Sequence, residues 1–309
     1  MKKKLLAVTL ILGVILSFSG CINKGNNDNG EKLRVGVTIS PLKDFTEAIG
    51  GDKVEVFSII PNGSDAHSFD PKPKDLKDLI NTDMFIYNGL GMEEWIDSVL
   101  GTIEGKNIKI VEASQGIDFI NASEEDLHSD EHGEEEHNHG GKDPHVWLSL
   151  EGATKEAENI KNALVEIDPK NKEYYEKNYQ KLKEDFSTLQ AEYRNKFSEL
   201  KNKDFVTGHA AFAYLCRDFG LTQKSIADVF GEGELTPKNL ESLIKYCREN
   251  NVKVVFNESA ASSKESETLA KEVGAKVEKI YSLETKEDDK SYLEGMKYNL
   301  DTIYNSLKK

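Results

Sequence analysis

Three histidines of this 309-residue chain lie where a predicted strand or loop leaves a predicted sheet. They are His67, His145 and His209. An imidazole near neutral pH can ligate a metal or act as a general acid or base. A single loop histidine is more often solvated or part of a turn, so the interest lies in three that could converge at the edge of two predicted lobes.

Each histidine also has a simpler interpretation. His67 lies in a passage rich in turn residues, so it is compatible with a capping or turn role. His145 precedes Trp147, and it would accompany that side chain if Trp147 packs into a core. His209 follows a strand and precedes a predicted helix, which fits a neighbour of a helix N-terminus. Carboxyl ends of strands in α/β sheets are, however, where ligands bind.

The other four histidines share one acidic segment, Glu124 to Gly141, which has eight acidic residues and no Lys or Arg. They are His128, His132, His137 and His139. Such a composition cannot bury enough apolar surface to fold alone, so it predicts a mobile loop. We favour weak metal contact by these histidines over a solubilising insertion in which they are incidental.

Composition excludes some partners. The net charge is -15, from 40 Lys and Arg against 55 Asp and Glu, which argues against nucleic acid because phosphate binding needs clustered Lys and Arg. Cations are the better partner class, although an acidic balance by itself also serves solubility.

The N-terminus is typical of an export signal over residues 1–21. Three lysines precede the apolar run Leu5 to Phe18, and Ser19-Gly20-Cys21 resembles the lipobox of secreted lipoproteins. We therefore expect an extracytoplasmic protein, anchored to the membrane by lipidated Cys21 or periplasmic. Residues 22–32 would form a flexible tether.

The remaining chain alternates strands with helices, which predicts two α/β lobes, each a mostly parallel sheet flanked by helices. The predicted lobes are 33–149 and 204–309. Between them, 150–203 has no strand signal and carries apolar residues at spacings of three and four after Asp168-Pro169. This pattern predicts a helical connector whose long rigid helix, about 171–200, limits hinge motion.

The two cysteines after Cys21 do not define a disulfide scaffold. Cys216 and Cys247 each lie in an amphipathic helical stretch. The sequence favours small buried side chains and leaves a bridge between them open.

Several motifs in order resemble the ZnuA/TroA family of metal-binding proteins that serve zinc and manganese ABC importers. The resemblance covers nearly the whole chain after the signal. It rests on the passages around the three histidines, the acidic His-rich loop, the long central helix, the Asn88 to Trp95 motif and the Met296 to Leu300 motif. It implies two lobes joined by a rigid helix, and delivery of the metal to a permease with its cytoplasmic ATPase by a monomer.

The resemblance also implies the ligands. The first three would be His67, His145 and His209, and manganese binders of this family generally carry a carboxylate at the third position, so His209 indicates zinc. The fourth would be Glu284, as in AdcA-like zinc binders, with Asp288 and Asp289 as alternatives.

Three neutral imidazoles and one carboxylate suit tetrahedral Zn²⁺, whereas Mn²⁺ prefers more oxygen ligands. Because ligating histidines must be neutral, affinity is expected to fall as the pH drops through about 6.5. A manganese or iron receptor, a surface adhesin and a zinc hydrolase are the alternatives. The chain has no His-Glu-x-x-His motif, nucleophile elbow or Walker loop, which disfavours an enzyme.

Overall fold

The computed structural model describes residues 32–122, 141–231, 236–258 and 263–308. The predicted signal with Cys21, nearly all of the tether, and the His-rich segment with its four histidines lie outside these ranges. Within them, no helix combines the length and the apolar character needed to cross a bilayer.

The N-terminal sheet has four parallel strands in the order β2-β1-β3-β4. Val35 and Val37 of β1 are fully buried at its centre, as expected of a parallel sheet covered on both faces. Its strands are β1 (Leu33–Val37), β2 (Val54–Ser58), β3 (Met84–Tyr87) and β4 (Lys109–Glu112). The helices that connect them are α1 (Ser40–Gly50), α2 (Pro73–Leu79) and α3 (Ile96–Ile103).

The helical region that follows has two helices, α4 (Leu150–Ile167) and α5 (Lys172–Ser198). They are separated at Asp168, whose carboxylate accepts hydrogen bonds from Asn171 and from the Tyr175 hydroxyl, both at 2.7 Å. Helix α5 packs most extensively against α4 and α1.

The C-terminal sheet repeats the parallel arrangement, in the order β6-β5-β7-β8. Its strands are β5 (Asp204–Thr207), β6 (Thr222–Ser225), β7 (Val254–Glu258) and β8 (Lys276–Ile280). The helices of this half are α6 (Ala213–Phe219), α7 (Pro237–Glu249), α8 (Ser263–Val273) and α9 (Tyr292–Leu307). The predicted fold class, two parallel sheets flanked by helices with one long helix, is confirmed.

A shared apolar core joins the two halves. Its largest cluster contains buried residues of both sheets and of α4 and α5. Phe45 of α1 lies edge-on to Phe186 of α5 and to Tyr292 of α9, with ring centroids 5.6 and 4.7 Å apart. Helix α5 also contacts α6 and α9, so it is packed against both halves along its length.

The helix predicted to follow His209 begins only at Ala213, so a short loop separates His209 from α6. The carbonyl of His209 accepts hydrogen bonds from Thr207 Oγ1 (2.6 Å) and Gln223 Nε2 (2.8 Å). These side chains occupy the carbonyl that a helix beginning at Ala210 would use, so His209 stays in a loop.

We expect Phe186→Ala to lower the free energy of unfolding by about 3–5 kcal/mol, because it empties a fully buried aromatic site where three helices meet. Denaturant unfolding would measure it. Phe119→Ala, at a side chain that is 41% exposed, is the control and should cost less than about 1 kcal/mol. Equal losses would show that the core does not depend on this junction.

Candidate metal centre

Four loops bring three imidazoles and one carboxylate together. His67 lies between β2 and α2, His145 immediately before a short 3-10 turn that leads into α4, His209 after β5, and Glu284 after β8. One ligand atom from each lies within 4.8 Å of all the others. Two of the residues come from each half of the molecule.

The distances suit a small tetrahedral ion. Glu284 Oε1 lies 3.7 Å from His67 Nε2, 3.6 Å from His145 Nε2 and 3.7 Å from His209 Nε2. Ligand bonds of about 2.0–2.1 Å in a regular tetrahedron separate neighbouring ligand atoms by roughly 3.3–3.4 Å. The three separations from the carboxylate oxygen are therefore only a few tenths of an ångström longer than in a zinc tetrahedron.

The same atoms lack hydrogen bonds. Across the described ranges, buried Nε2 atoms of all three histidines and Oε1 of Glu284 have no hydrogen-bond partner. Leaving buried polar atoms unpaired costs about 1–3 kcal/mol each. A bound cation would satisfy all four at once, so the residues present fit a metal.

Asp143 orients His145. Its Oδ1 accepts the backbone N–H of His145 and lies 2.9 Å from Nδ1 of the same residue. Because a carboxylate can only accept, Nδ1 carries the proton and Nε2 is free to ligate. His145 is fully buried and is the least exposed of the four residues, since the other three side chains are 10–12% exposed.

The Asn88 to Trp95 motif supports the loop that carries His145. The Asn88 side chain donates to the carbonyl of Pro144 at 3.0 Å. The buried carboxylate of Glu93 accepts the backbone N–H groups of Asn88 (2.8 Å) and Gly89 (3.0 Å) and the hydroxyl of Thr38 (2.6 Å). This motif holds the loop that carries His145 and contributes no ligand itself.

The loop of Glu284 is fixed by the other half of the molecule. Trp147 Nε1 donates to the carbonyl of Ser282, and the backbone N–H of Ser40 donates to the carbonyl of Glu284, both at 2.8 Å. Leu283 between them has a φ of 64°, a left-handed conformation that costs energy in a leucine. Its side chain packs where a Cβ at Gly295 would collide with it, so Gly295 permits the turn.

The pKa values of the site reflect burial and mutual charge. Burial lowers the pKa of His67 to about 4. Burial acts in the same direction at His209, but Glu258 and Glu284 outweigh it and raise its pKa to about 10. At His145 the carboxylates of Asp143 and Glu284 likewise overcome burial and raise the pKa. The imidazoles hold the pKa of Glu284 well below its usual range although burial opposes this.

The alternatives for the fourth ligand lie elsewhere. Asp288 accepts hydrogen bonds from the Tyr281 hydroxyl (2.5 Å) and Lys279 (3.0 Å), and Asp289 is exposed.

Cys216 and Cys247 are buried and not bridged to each other. This agrees with the interpretation of both as small buried side chains, which the sequence favoured.

Sequence reasoning assigned no role to Asp143 and missed Glu258. Glu258 ends β7, and its Oε2 lies 3.6 Å from His209 Nδ1. The available signal was an acidic residue directly after a predicted apolar strand, at the sheet edge where His209 was expected. A cavity of about 140 Å³ opens from the cluster between the two halves, and Glu258 forms part of its wall.

We expect metal binding to release about one to two protons per ion at pH 7, chiefly from His209 and His145. Both bind protons more tightly than an ordinary histidine when no metal is present, so metal affinity should rise with pH and fall as the pH drops below about 10. This range extends above the 6.5 expected from sequence. Calorimetry in buffers of different ionisation enthalpy measures the proton count, and a pH-independent affinity would contradict it.

Comparisons with known proteins support the same kind of site. Residues 35–306 match the family model of ZnuA, "Zinc-uptake complex component A periplasmic". The chain is 40% identical over 316 residues to the high-affinity zinc uptake system protein ZnuA of Bacillus subtilis, covering 99% of both. It is 33% identical to the zinc-binding lipoprotein AdcA of Streptococcus pneumoniae, covering 96% of this chain and 60% of that one.

A solved structure has the same fold. The laminin-binding protein Lmb of Streptococcus agalactiae, described as bifunctional with adhesin and metal-transporting activity, superposes with a TM-score of 0.80 at 30% identity, over 90% of this chain and 100% of that one. Because the family model matches residues 35–306, this chain belongs to the ZnuA family of periplasmic zinc-uptake components.

Proposed function

We propose that this protein captures one zinc ion with His67, His145, His209 and Glu284 and delivers it to an ABC-type importer. It is a binding protein and not an enzyme, as its family indicates. The observation that carries the proposal is the cluster of four buried donor atoms without hydrogen-bond partners within the described residues. A site closed by four protein ligands suits capture, whereas catalytic zinc sites keep a position open for water.

The donor set supports zinc as the cargo. Three imidazole nitrogens and one carboxylate oxygen match the preference of Zn²⁺ for four ligands. Mn²⁺ is usually held by more oxygen atoms in a larger coordination shell. A manganese or iron receptor is therefore the weaker interpretation of this site.

The route of delivery follows the family. The ion would enter through the cavity between the lobes, with small movements of the loops around Glu284. The long helix α5 and the shared core restrain larger hinge motion. Docking on the permease must then disfavour the metal-bound geometry to release the ion. The protein acts outside the cytoplasm, held by a lipid on Cys21, as the name of the AdcA relative suggests for that protein.

An adhesin role is the second candidate, supported by the description of the Lmb structure. Adhesion does not require the four ligands. Substitutions in the cluster would therefore abolish zinc capture while leaving adhesion to laminin unchanged, which separates the two functions.

Elemental mass spectrometry of the mature chain lacking residues 124–141 tests the site. We expect one tightly held zinc ion per chain, and His209→Ala should weaken binding by more than about 100-fold, beyond what loss of an outer hydrogen-bond partner causes. Asp288→Ala, at an alternative ligand that lies outside the four-residue cluster, is the matched control and should retain the ion. Zinc that persists in His209→Ala would contradict the proposed ligands.

The His-rich segment has a separate test. If His128, His132, His137 and His139 bind zinc weakly, deletion of 124–141 should remove only low-affinity equivalents and leave the tight site unchanged. Titration with zinc against a competing chelator resolves the two classes. If the variant that lacks residues 124–141 keeps the full number of weak zinc sites, these histidines are incidental.

A further inference from the structure

Glu258 lies where two neighbouring parallel strands end. Strand β7 ends at Glu258, and β5 beside it ends at Thr207, two residues before His209. The carboxyl ends of both strands point to the same sheet edge. Glu258 thus comes from a separate part of the chain to lie against the His209 ring.

The carboxylate is buried and faces the imidazole. Glu258 is 8% exposed, and neither of its oxygens has a hydrogen-bond partner within the ranges described. Its Oε2 lies 3.6 Å from Nδ1 of His209, whose Nε2 lies 3.7 Å from Glu284 Oε1. The ring therefore lies between two carboxylates, one near each nitrogen.

Asp143 and His145 form the same arrangement in the other half of the molecule, where Nδ1 and Oδ1 are 2.9 Å apart. That pair fixes the tautomer that leaves Nε2 free to ligate. At His209 the separation exceeds a direct hydrogen bond by only a few tenths of an ångström, within reach of a small side-chain rotation.

We propose that Glu258 is a positioning residue for zinc. Its carboxylate accepts a hydrogen bond from Nδ1–H of His209, which directs Nε2 towards the ion, and it adds a negative charge on the side of the ring away from the ion. This inference rests on the proposed zinc function. With this role for Glu258, one ligand histidine from each lobe has its own carboxylate partner. The remaining ligand histidine, His67, has no hydrogen bond at either ring nitrogen among the residues described.

Two variants separate the charge from the hydrogen bond. Glu258→Ala removes both, and we expect zinc affinity to fall about 10–100-fold. Glu258→Gln keeps an oxygen that can accept the Nδ1 proton, so its loss should be smaller. Competition with a chelator measures affinity, and denaturant unfolding confirms that the variants fold. Glu287→Gln, which removes a charge from the same cavity wall, is the control and should change affinity less than about 2-fold.

Nitrogen-15 NMR of histidine side chains in the zinc-loaded protein supplies a second readout. In the wild type and in Glu258→Gln, the Nδ1 proton of His209 should be protected from exchange with water, and in Glu258→Ala it should exchange rapidly. Unchanged affinity and protection in Glu258→Ala would overturn this inference while the zinc site stands. A wild type that binds no zinc would overturn the proposed function and this inference with it.

Discussion

Mutual repulsion among unpaired donor atoms is the constraint on which this site depends. Three imidazole nitrogens and a carboxylate oxygen lie within 4.8 Å of one another in a largely buried space. Lone pairs that face one another away from water are unfavourable unless a cation or protons lie between them. The fold must supply enough rigidity to keep these atoms together, and the rest of the molecule can be understood as that support.

The support comes from contacts that cross between the halves. The Tyr214 hydroxyl donates to the carbonyl of Asp143 at 2.8 Å, and the Tyr292 hydroxyl donates to the carbonyl of Trp147 at 2.5 Å. Both residues belong to helices of the C-terminal half, while their acceptors flank His145. Together with a core that both halves share, these bonds set the positions of the ligands before any ion arrives, which reduces the ordering that binding requires.

Charge explains how such a site can exist without its ion. Asp143, Glu258 and Glu284 surround the imidazoles; the pKa of His209, raised to about 10, places a proton in the site near neutral pH, and the pKa of His145 is raised as well. Release of these protons when a divalent ion binds offsets part of the positive charge that the ion adds to the cluster. Burial keeps the third imidazole, His67, neutral, with a pKa of about 4.

The sequence by itself determined the alternation of strands and helices, the long helix near 171–200 and the candidacy of three histidines, because periodicity and strand ends are local properties. The choice of Glu284 over Asp288 and Asp289 needed a family resemblance, since all three are acidic residues in one loop. Only the tertiary structure decided that Glu258 lies against His209, that Trp147 and Ser40 hold the Glu284 loop, and that α6 begins only at Ala213. These depend on contacts between residues far apart in the chain, which local patterns do not encode.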